Sequence, residues 1–499
     1  MSGRRLPRRF LLCVALAAAL AGCTSGGAGR ASESPAPAGP ISLTAMSFNI
    51  EYGGTGVDFA SVSRAIQEAG ADVVAVQEAY ARLPELAADL GWDYYDTRSQ
   101  VLSRFPLISP DGGSETPVYV EVASGRAVAV FDVHLSSTKY GPNAVVAGMS
   151  ADEVLDREST RVEEAAPVVA SAAALAGQDI PVLVLGDFNS PSHLDWTEES
   201  VGQRPQIRYA LEWPVSRSAE AAGLVDAYRA VHPDPVSDPG ITWPADRPFV
   251  TGYNPAAAGK PADRIDLVFS GGPVEVTDVQ IAGEPGGDGV DIPVDPWPSD
   301  HRAVVVSAEV SPGSPGPVVA ASRRVVAQGD PVDVRYLTDA ADAASVGLVP
   351  IGSFDADVQW TAVPDASGGA LALPTDGTSP GGYTVVLRNG EGAQIAGSAV
   401  WLAGPDGETV LQTDRRSYRR GAPVTVSWEA APGNKWDWVG IYRAGANPEV
   451  AYYKQWAYTG ASVAGEHVFS RPLPPGDYDA HLLVDDSYAS VGSVTFTVR

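Results

Sequence analysis

Pro181-Val182-Leu183-Val184-Leu185-Gly186-Asp187-Phe188-Asn189 is the stretch on which the reading of this chain turns. Four consecutive aliphatic residues predict a strand buried on both faces. The run stops at Gly186, and two short polar side chains, Asp187 and Asn189, follow two apart. On an extended strand such side chains point the same way. A carboxylate and a carboxamide are therefore expected side by side at the end of a buried strand. That pair suits a metal-bound phosphate and an attacking water. An ordinary strand-to-turn junction has the same composition, because Asp and Asn are common turn residues. The stretch alone leaves both readings open.

Working outward, the same pattern recurs. Ile41 to Ile50 reads as a strand that delivers Asn49 to its end. Asp58 starts a short amphipathic helix through Ala69, and Gly70 ends it. Val73 to Val76 is a second buried run, with Glu78 just beyond it as a surface residue or a ligand. Val118 to Val122 and Ala127 to Val133 read as strands around a Ser124-Gly125 hairpin, which puts His134 at a strand end. A lone histidine there is structural as readily as catalytic. Asp152 to Ala176 is helical, with Pro167 expected to kink it or begin a second segment. Arg264 to Phe269 is a strand that opens on charges and carries Asp266. Ser299-Asp300-His301-Arg302 precedes a last strand, Ala303 to Val306. Asp226 reads equally as a helix-start residue or a site residue. Lys139 and Tyr140 read as solvated loop in preference to the lining of a substrate groove, and Trp243 reads as packing.

Six strand ends thus carry an acidic, amide or imidazole group: Asn49, Glu78, His134, Asp187 with Asn189, Asp266, and Asp300 with His301. Together they describe a sheet-edge site rich in hard oxygen ligands, with two histidines and no cysteine. Such ligation favours Mg²⁺, Mn²⁺ or Ca²⁺ over structural Zn²⁺.

Seven short segments, six of them at these strand ends, resemble in their order the endonuclease/exonuclease/phosphatase superfamily of DNase I-like metal phosphoesterases. They are Ser47-Phe48-Asn49-Ile50, Gln77-Glu78, Leu102-Ser103-Arg104-Phe105-Pro106, Val133-His134-Leu135, Gly186-Asp187-Phe188-Asn189, Arg264-Ile265-Asp266 and Ser299-Asp300-His301. The resemblance covers Ile41 to about Val310. It implies an α+β fold, a four-layer α/β sandwich of two face-to-face sheets flanked by helices. It also implies roles. Glu78 would be the main ligand of a Mg²⁺ ion (Mn²⁺ or Ca²⁺ being alternatives), with Asn49 and Asp300 beside it. His301 would contact the phosphate or help activate water, oriented by Asp266. Asp187 would orient or deprotonate the water, or protonate the leaving group, with Asn189 fixing its geometry. His134 would donate to the phosphate. Asp226 and Arg229 match a segment near the site.

The N-terminus reads as an address. Residues 1–22 begin with Arg4, Arg5, Arg8 and Arg9 and continue in an apolar run too short to span a bilayer comfortably. Leu20-Ala21-Gly22-Cys23 resembles a bacterial lipobox, which implies that Cys23 is lipidated and becomes the first mature residue. A plain secretory signal is the alternative. Residues 23–40 then form a Gly/Ser/Ala/Pro-rich tether. The expected location is the outer face of the cytoplasmic membrane, on the bacterial cell surface. Cys13 and Cys23 are the only cysteines, so a mature chain lacking Cys13 could form no internal disulfide.

The 499 residues carry a net charge of −27. A surface that grips duplex phosphates at many points usually has a basic face, so nucleic acid is the disfavoured partner and a phosphate ester of another kind is favoured. Acidity equally suits an exported protein kept soluble.

After a linker at 311–317 the helical periodicity fades. Gly329-Asp330-Pro331-Val332 matches Gly421-Ala422-Pro423-Val424, Val346-Gly347-Leu348 matches Val439-Gly440-Ile441, and Gly382-Tyr383 matches the Gly476 to Tyr478 segment. The offset of roughly ninety residues suits small β-sandwiches. Two all-β immunoglobulin-like modules are therefore expected, at 318–404 and 405–499, after a catalytic domain at 41–310. The second carries Trp436-Asp437-Trp438 and Asp485-Asp486 and resembles SKICH-type modules. The first lacks both pieces. The expected activity is divalent-metal-dependent hydrolysis of a phosphate ester: a phospholipid or sphingomyelin head group, an inositol phosphate, or a nucleic acid. A surface adhesion protein with an inactive phosphoesterase-like domain is the competing class.

Overall fold

The computed structural model describes residues 39–248, 260–338, 343–353, 358–365, 367–404 and 407–499. The expected leader, Cys23 and the tether up to Ala38 lie outside them.

The aliphatic run of Val182–Asp187 is buried throughout and sits in the middle of a six-stranded sheet. From edge to edge its strands are Leu107–Ile108, Val118–Ala123, Arg126–His134, Val182–Asp187, Asp266–Gly271 and Val225–Asp226. Strand alternation divides the run between two layers. Leu183 and Leu185 join Val128, Val130 and Val268 in a core shared with Ala45, Val73 and Val304 of a second sheet. Val182 and Val184 belong to the core that includes Ala165, Val169 and Ala172 of helix Ser159–Ala176.

The second sheet has seven strands: Ile292–Pro293, Val274–Gly283, Ala303–Val310, Ile41–Asn49, Val73–Gln77, Val101–Ser103 and Tyr94–Asp96. Met46, Phe48, Val74 and Val76 pack with Val62, Ile66, Leu83 and Leu86 of helices Phe59–Glu68 and Leu83–Leu90. The result is four layers, helix, sheet, sheet, helix, as in the DNase I-like fold.

Pairing register places the polar residues. His134 pairs with Asp187 across a parallel ladder, and Asp187 pairs with Asp266 across an antiparallel one. Asn49 pairs with Gln77, the residue before Glu78. Ala303–Val310 runs antiparallel to Ile41–Asn49, so Asp300 and His301 lie at the Asn49 end. Gly186 is required where the strands close in. A Cβ there would lie 1.9 Å from the Val133 carbonyl oxygen.

The helix from Phe59 is capped by Asp58, whose side chain accepts from the Ala60 amide, as the sequence indicates. Pro167 behaves otherwise. It lies inside the continuous helix Ser159–Ala176, and the break with the preceding helix Ala151–Arg157 falls at Glu158. There a buried carboxylate pairs with Arg161 and accepts from Ser190.

The C-terminal region forms two β-sandwich modules of the same topology. In the first, Val318–Ala321, Val332–Leu337 and Gly368–Leu373 face a five-stranded sheet ordered Val325–Ala327, Gln394–Ala403, Gly381–Asn389, Ala343–Pro350, Trp360–Ala362. The second repeats both orders strand for strand, with Val410–Thr413, Val424–Glu429 and Gly465–Phe469 against Ser417–Tyr418, Ser490–Val498, Gly476–Leu483, Trp438–Arg443 and Gln455–Tyr458. Matching tyrosines return to the backbone four residues upstream, Tyr383 to the Ser379 carbonyl and Tyr478 to that of Pro474. Such a corner fixes a turn of chain between the sheets of a sandwich.

Candidate active site

The strand ends converge on Asn49. Its Nδ2 donates to Asp187 Oδ2 at 3.1 Å and to Glu78 Oε1 at 3.3 Å, and lies 3.5 Å from His301 Nε2. Its Oδ1 accepts from the Glu51 amide. In this arrangement Asn49 shows the cavity a donor rather than a ligating oxygen.

Asp187 is the hub. Its Oδ1 accepts from the Asn189 amide at 2.8 Å, and Asn189 Nδ2 donates to Oδ2 at 3.2 Å. Oδ2 also lies 3.6 Å from His134 Nε2 and 3.7 Å from His301 Nε2. Asp187 and Asn189 do meet, but strand alternation is not the cause. The strand ends at Asp187, and Asn189 turns back with φ 47°. Its amide is anchored on the Leu135 carbonyl at 3.0 Å.

His301 is held from behind. Its Nδ1 lies 3.0 and 3.2 Å from the two Asp266 oxygens, which leaves Nε2 facing Asp187. Burial works against a charged imidazole, but the carboxylates of Asp266, Asp187 and Asp300 together hold the His301 pKa well above its ordinary value. Burial also pushes the Asp187 carboxyl up to about 6, against the pull of His301.

Glu78, His134, Asp187, Asn189, Asp300 and His301 line one cavity of about 400 Å³. Asp266 and Asn49 do not line it; Asp266 stands behind His301, and Asn49 is buried in contact with Asp187 and Glu78. Of these six, Glu78 and Asp300 are the carboxylates outside the Asp187–His301 pair. Glu78 takes the Tyr52 amide and the Asn49 side chain. Asp300 accepts from the Trp243 indole at 3.2 Å and faces Lys260 at 3.8 Å. Asp187, Asp266 and His301 also lie close enough to hold an ion, with ligand atoms within 4.8 Å of one another. Glu78 and Asp300 present further carboxylate oxygens to the same cavity, the ligand type that a hard divalent ion takes.

Several wall residues escape the sequence reading. Trp243 is no mere packing residue, since its indole positions Asp300 and faces the cavity. Tyr140 is buried, not solvated; its hydroxyl donates to Asp263 and its ring packs edge-on against Trp243. Glu51 lines the cavity, pairs with Arg247 and accepts from the Asp300 amide. No pattern in the sequence marks this wall; its backbone does. Glu51, Tyr52, Glu78, Tyr80 and Asn189 all adopt positive φ, a cost that side chains bear mainly at functional sites.

Asp226 and Arg229 do not line this cavity. Asp226 caps helix Ala227–Val231, as the helix-start reading has it, and also takes the Arg264 guanidinium at 2.7 and 2.9 Å. Arg264 reaches Asp195 through Nε and again through Nη2, and Arg229 binds Asp195 at 2.6 Å. The cluster is buried and braces the chain just before Asp266.

The second β-sandwich completes the cavity with Trp436, Asp485 and Asp486. Lys435 donates to Asp132 Oδ2 at 2.6 Å, while Gln77 holds the other Asp132 oxygen. Asp485 accepts from the Ala81 amide and from Gln100 Nε2.

A family model described as the Endonuclease/Exonuclease/phosphatase family matches residues 46–301. An uncharacterised protein of Caenorhabditis elegans is 30% identical over 252 residues, which is 46% of this chain and 78% of the relative. Among solved structures, an endonuclease/exonuclease/phosphatase family protein from Bacteroides thetaiotaomicron is 16% identical. That alignment covers 54% of this chain and 96% of the other, with a TM-score of 0.35. TDP2 of D. rerio, complexed with single-strand DNA product, is 15% identical over 54% of this chain and 98% of its own, with a TM-score of 0.31.

Proposed function

This chain belongs to the Endonuclease/Exonuclease/phosphatase family, a family of phosphate-ester hydrolases, and we propose that it is an exported, lipid-anchored phosphodiesterase or phosphatase dependent on a divalent cation. One observation carries the catalytic part. A single amide nitrogen, Asn49 Nδ2, lies within 3.5 Å of Asp187, Glu78 and His301, so a base, a ligand and a charged donor share one point.

A Mg²⁺ ion held by Glu78 and Asp300 would neutralise charge on a phosphate oxygen. Asn49 would join the ligand set only by turning its carbonyl oxygen toward the ion. The protein's own groups do the rest. Asp187 accepts a proton from the attacking water, and Asn49 and Asn189 hold its carboxylate in place. His301, kept protonated by Asp266, donates Nε2–H to a phosphate oxygen, and His134 donates to the phosphate as well. Water forms the new P–O bond in line with the bond to the leaving group, which breaks; the departing alkoxide takes a proton from solvent, and Asp187 returns its own to solvent. The substrate class is a lipid head group, an inositol phosphate or a nucleic acid, and the acidic cavity wall favours the first two over long polyanions.

The experiment is turnover of sphingomyelin, phosphoinositides, soluble inositol phosphates and single- and double-stranded DNA. With Mg²⁺ one class should turn over, and EDTA should lower the rate about 10³-fold or more, since a metal supplies several kcal/mol at such a centre. Readdition of Mg²⁺ should restore it. Silence toward every substrate with Mg²⁺, Mn²⁺ and Ca²⁺ would favour the adhesion-protein reading instead.

The Leu20-Ala21-Gly22-Cys23 motif supports the anchor. Cys23→Ser is expected to move most of the protein from the membrane fraction to the soluble one, with activity unchanged. An unaltered distribution on fractionation would remove the anchor from the proposal.

A further inference from the structure

The second β-sandwich presents an aromatic box beside the catalytic cavity. Trp438, Tyr453, Trp456, Tyr458 and Tyr488, with Asp486, line an open cavity of about 270 Å³. Tyr80 and Asp486 line this cavity and the catalytic one alike, so the two are adjacent. The rings meet at steep angles. Trp438 lies 75° to Tyr453, 87° to Trp456 and 84° to Tyr488, and Trp456 lies 81° to Tyr458. Rings set this way form walls that turn their negative faces in several directions, unlike the flat platform on which a base or sugar ring stacks.

The first module supplies an internal comparison. Its equivalent strands pair Gly347 with Trp360 and Ser345 with Ala362, where the second pairs Gly440 with Trp456 and Trp438 with Tyr458. The lone Trp360 carries the chain's own Arg388 guanidinium 3.2 Å from its ring centre. Among the described residues, no Lys or Arg lies over the five rings of the box. The box of the second module thus has more ring faces and a carboxylate, with no cation over those rings among the described residues. Trp456, Tyr458 and Tyr488 are exposed, at 46%, 40% and 45%, while Trp438 is buried behind them.

We propose that this box is a cation subsite, taking the quaternary ammonium group of a phosphoester whose phosphate lies in the catalytic cavity. The inference rests on the phosphoesterase reading above. Ring faces attract a cation through the quadrupole and offer it no hydrogen bond. The Asp486 carboxylate already accepts from the Tyr458 hydroxyl at 2.8 Å. A methylated ammonium has no N–H to satisfy and suits this wall better than a primary amine.

The test titrates the full chain in EDTA with tetramethylammonium, phosphocholine, phosphoethanolamine and inorganic phosphate, followed by tryptophan fluorescence and calorimetry. Phosphocholine should bind more tightly than phosphoethanolamine. Trp456→Ala, at a half-exposed site that leaves the core intact, should weaken phosphocholine binding about tenfold and leave inorganic phosphate binding unchanged. Asp486→Asn should weaken it as well. Equal binding of phosphocholine by wild type and Trp456→Ala, or no binding by wild type, overturns the proposal. Vesicles of sphingomyelin, vesicles of phosphatidylcholine, and soluble glycerophosphocholine distinguish the sources of the head group. Hydrolysis of bis(p-nitrophenyl) phosphate, which has no ammonium group, separates the two readings. Turnover of that ester without phosphocholine binding overturns the box alone. Phosphocholine binding without any turnover supports the box and overturns the catalytic reading.

Discussion

Asp187→Asn is expected to lower phosphoester turnover by about 10²–10⁴-fold, the usual contribution of a positioned acid–base group. The substitution keeps shape and volume and removes the proton acceptor. It also changes the local hydrogen bonds in a calculable direction. Asp187 now accepts from three groups, the Asn49 side chain, the Asn189 amide and the Asn189 side chain. An amide at this position can still accept with one atom, but its NH₂ meets donors. That mismatch should cost about 1–3 kcal/mol of stability. The expected result is therefore a large fall in kcat with a small fall in Tm. A variant that keeps activity within about tenfold of wild type would take the base role away from Asp187. The remaining candidate would be a bound hydroxide, with Asp187 as a positioning residue.

Arg264→Met is expected to have the largest effect on stability. Arg264 is buried and places four hydrogen bonds on Asp195 and Asp226, both buried themselves. Burial alone would discourage its charge, but those two carboxylates hold the guanidinium firmly protonated. Arg264 also holds the Asp226 carboxyl below its usual range against the opposing effect of burial. Removing it leaves two carboxylates in a dry site with Arg229, which reaches Asp195 alone by its side chain. Breaking one partner out of a buried ion network costs about 3–5 kcal/mol. At about 2–4 °C per kcal/mol for a domain of this size, Tm should fall by roughly 10 °C. Thermal unfolding measures it. A fall under about 2 °C would show that water or a rearranged Arg229 takes over the charge. Exposed pairs such as Arg217 with Glu220 are the contrast, since pairs of this kind contribute about 0–1 kcal/mol. Because Arg264 stands two residues before Asp266, the variant should also disturb His301 and lower activity.

Both effects trace to the same strands, and those strands were legible in the amino-acid sequence. Burial and periodicity are local properties, so Val182 to Leu185 and Val73 to Val76 identified themselves as core strands, and the polar groups beyond them fell at strand ends. The duplicated sandwich was legible for a similar reason, because matching segments at a constant offset need no structure to be seen. What the sequence could not express was distance. Asp226 looks like a helix cap because it is one; its pairing with Arg264, 38 residues on, exists only after the sheet has formed. Trp243 looks like packing until it meets Asp300. Asp485 and Asp486 join a cavity built about four hundred residues earlier in the chain, where Asp485 accepts from the Ala81 amide. Which strand ends carry reactive groups was thus written locally. Which groups share a proton, a cation site or a wall was decided by tertiary folding, because Coulombic and hydrogen-bond interactions depend on separation in space and are blind to separation along the chain.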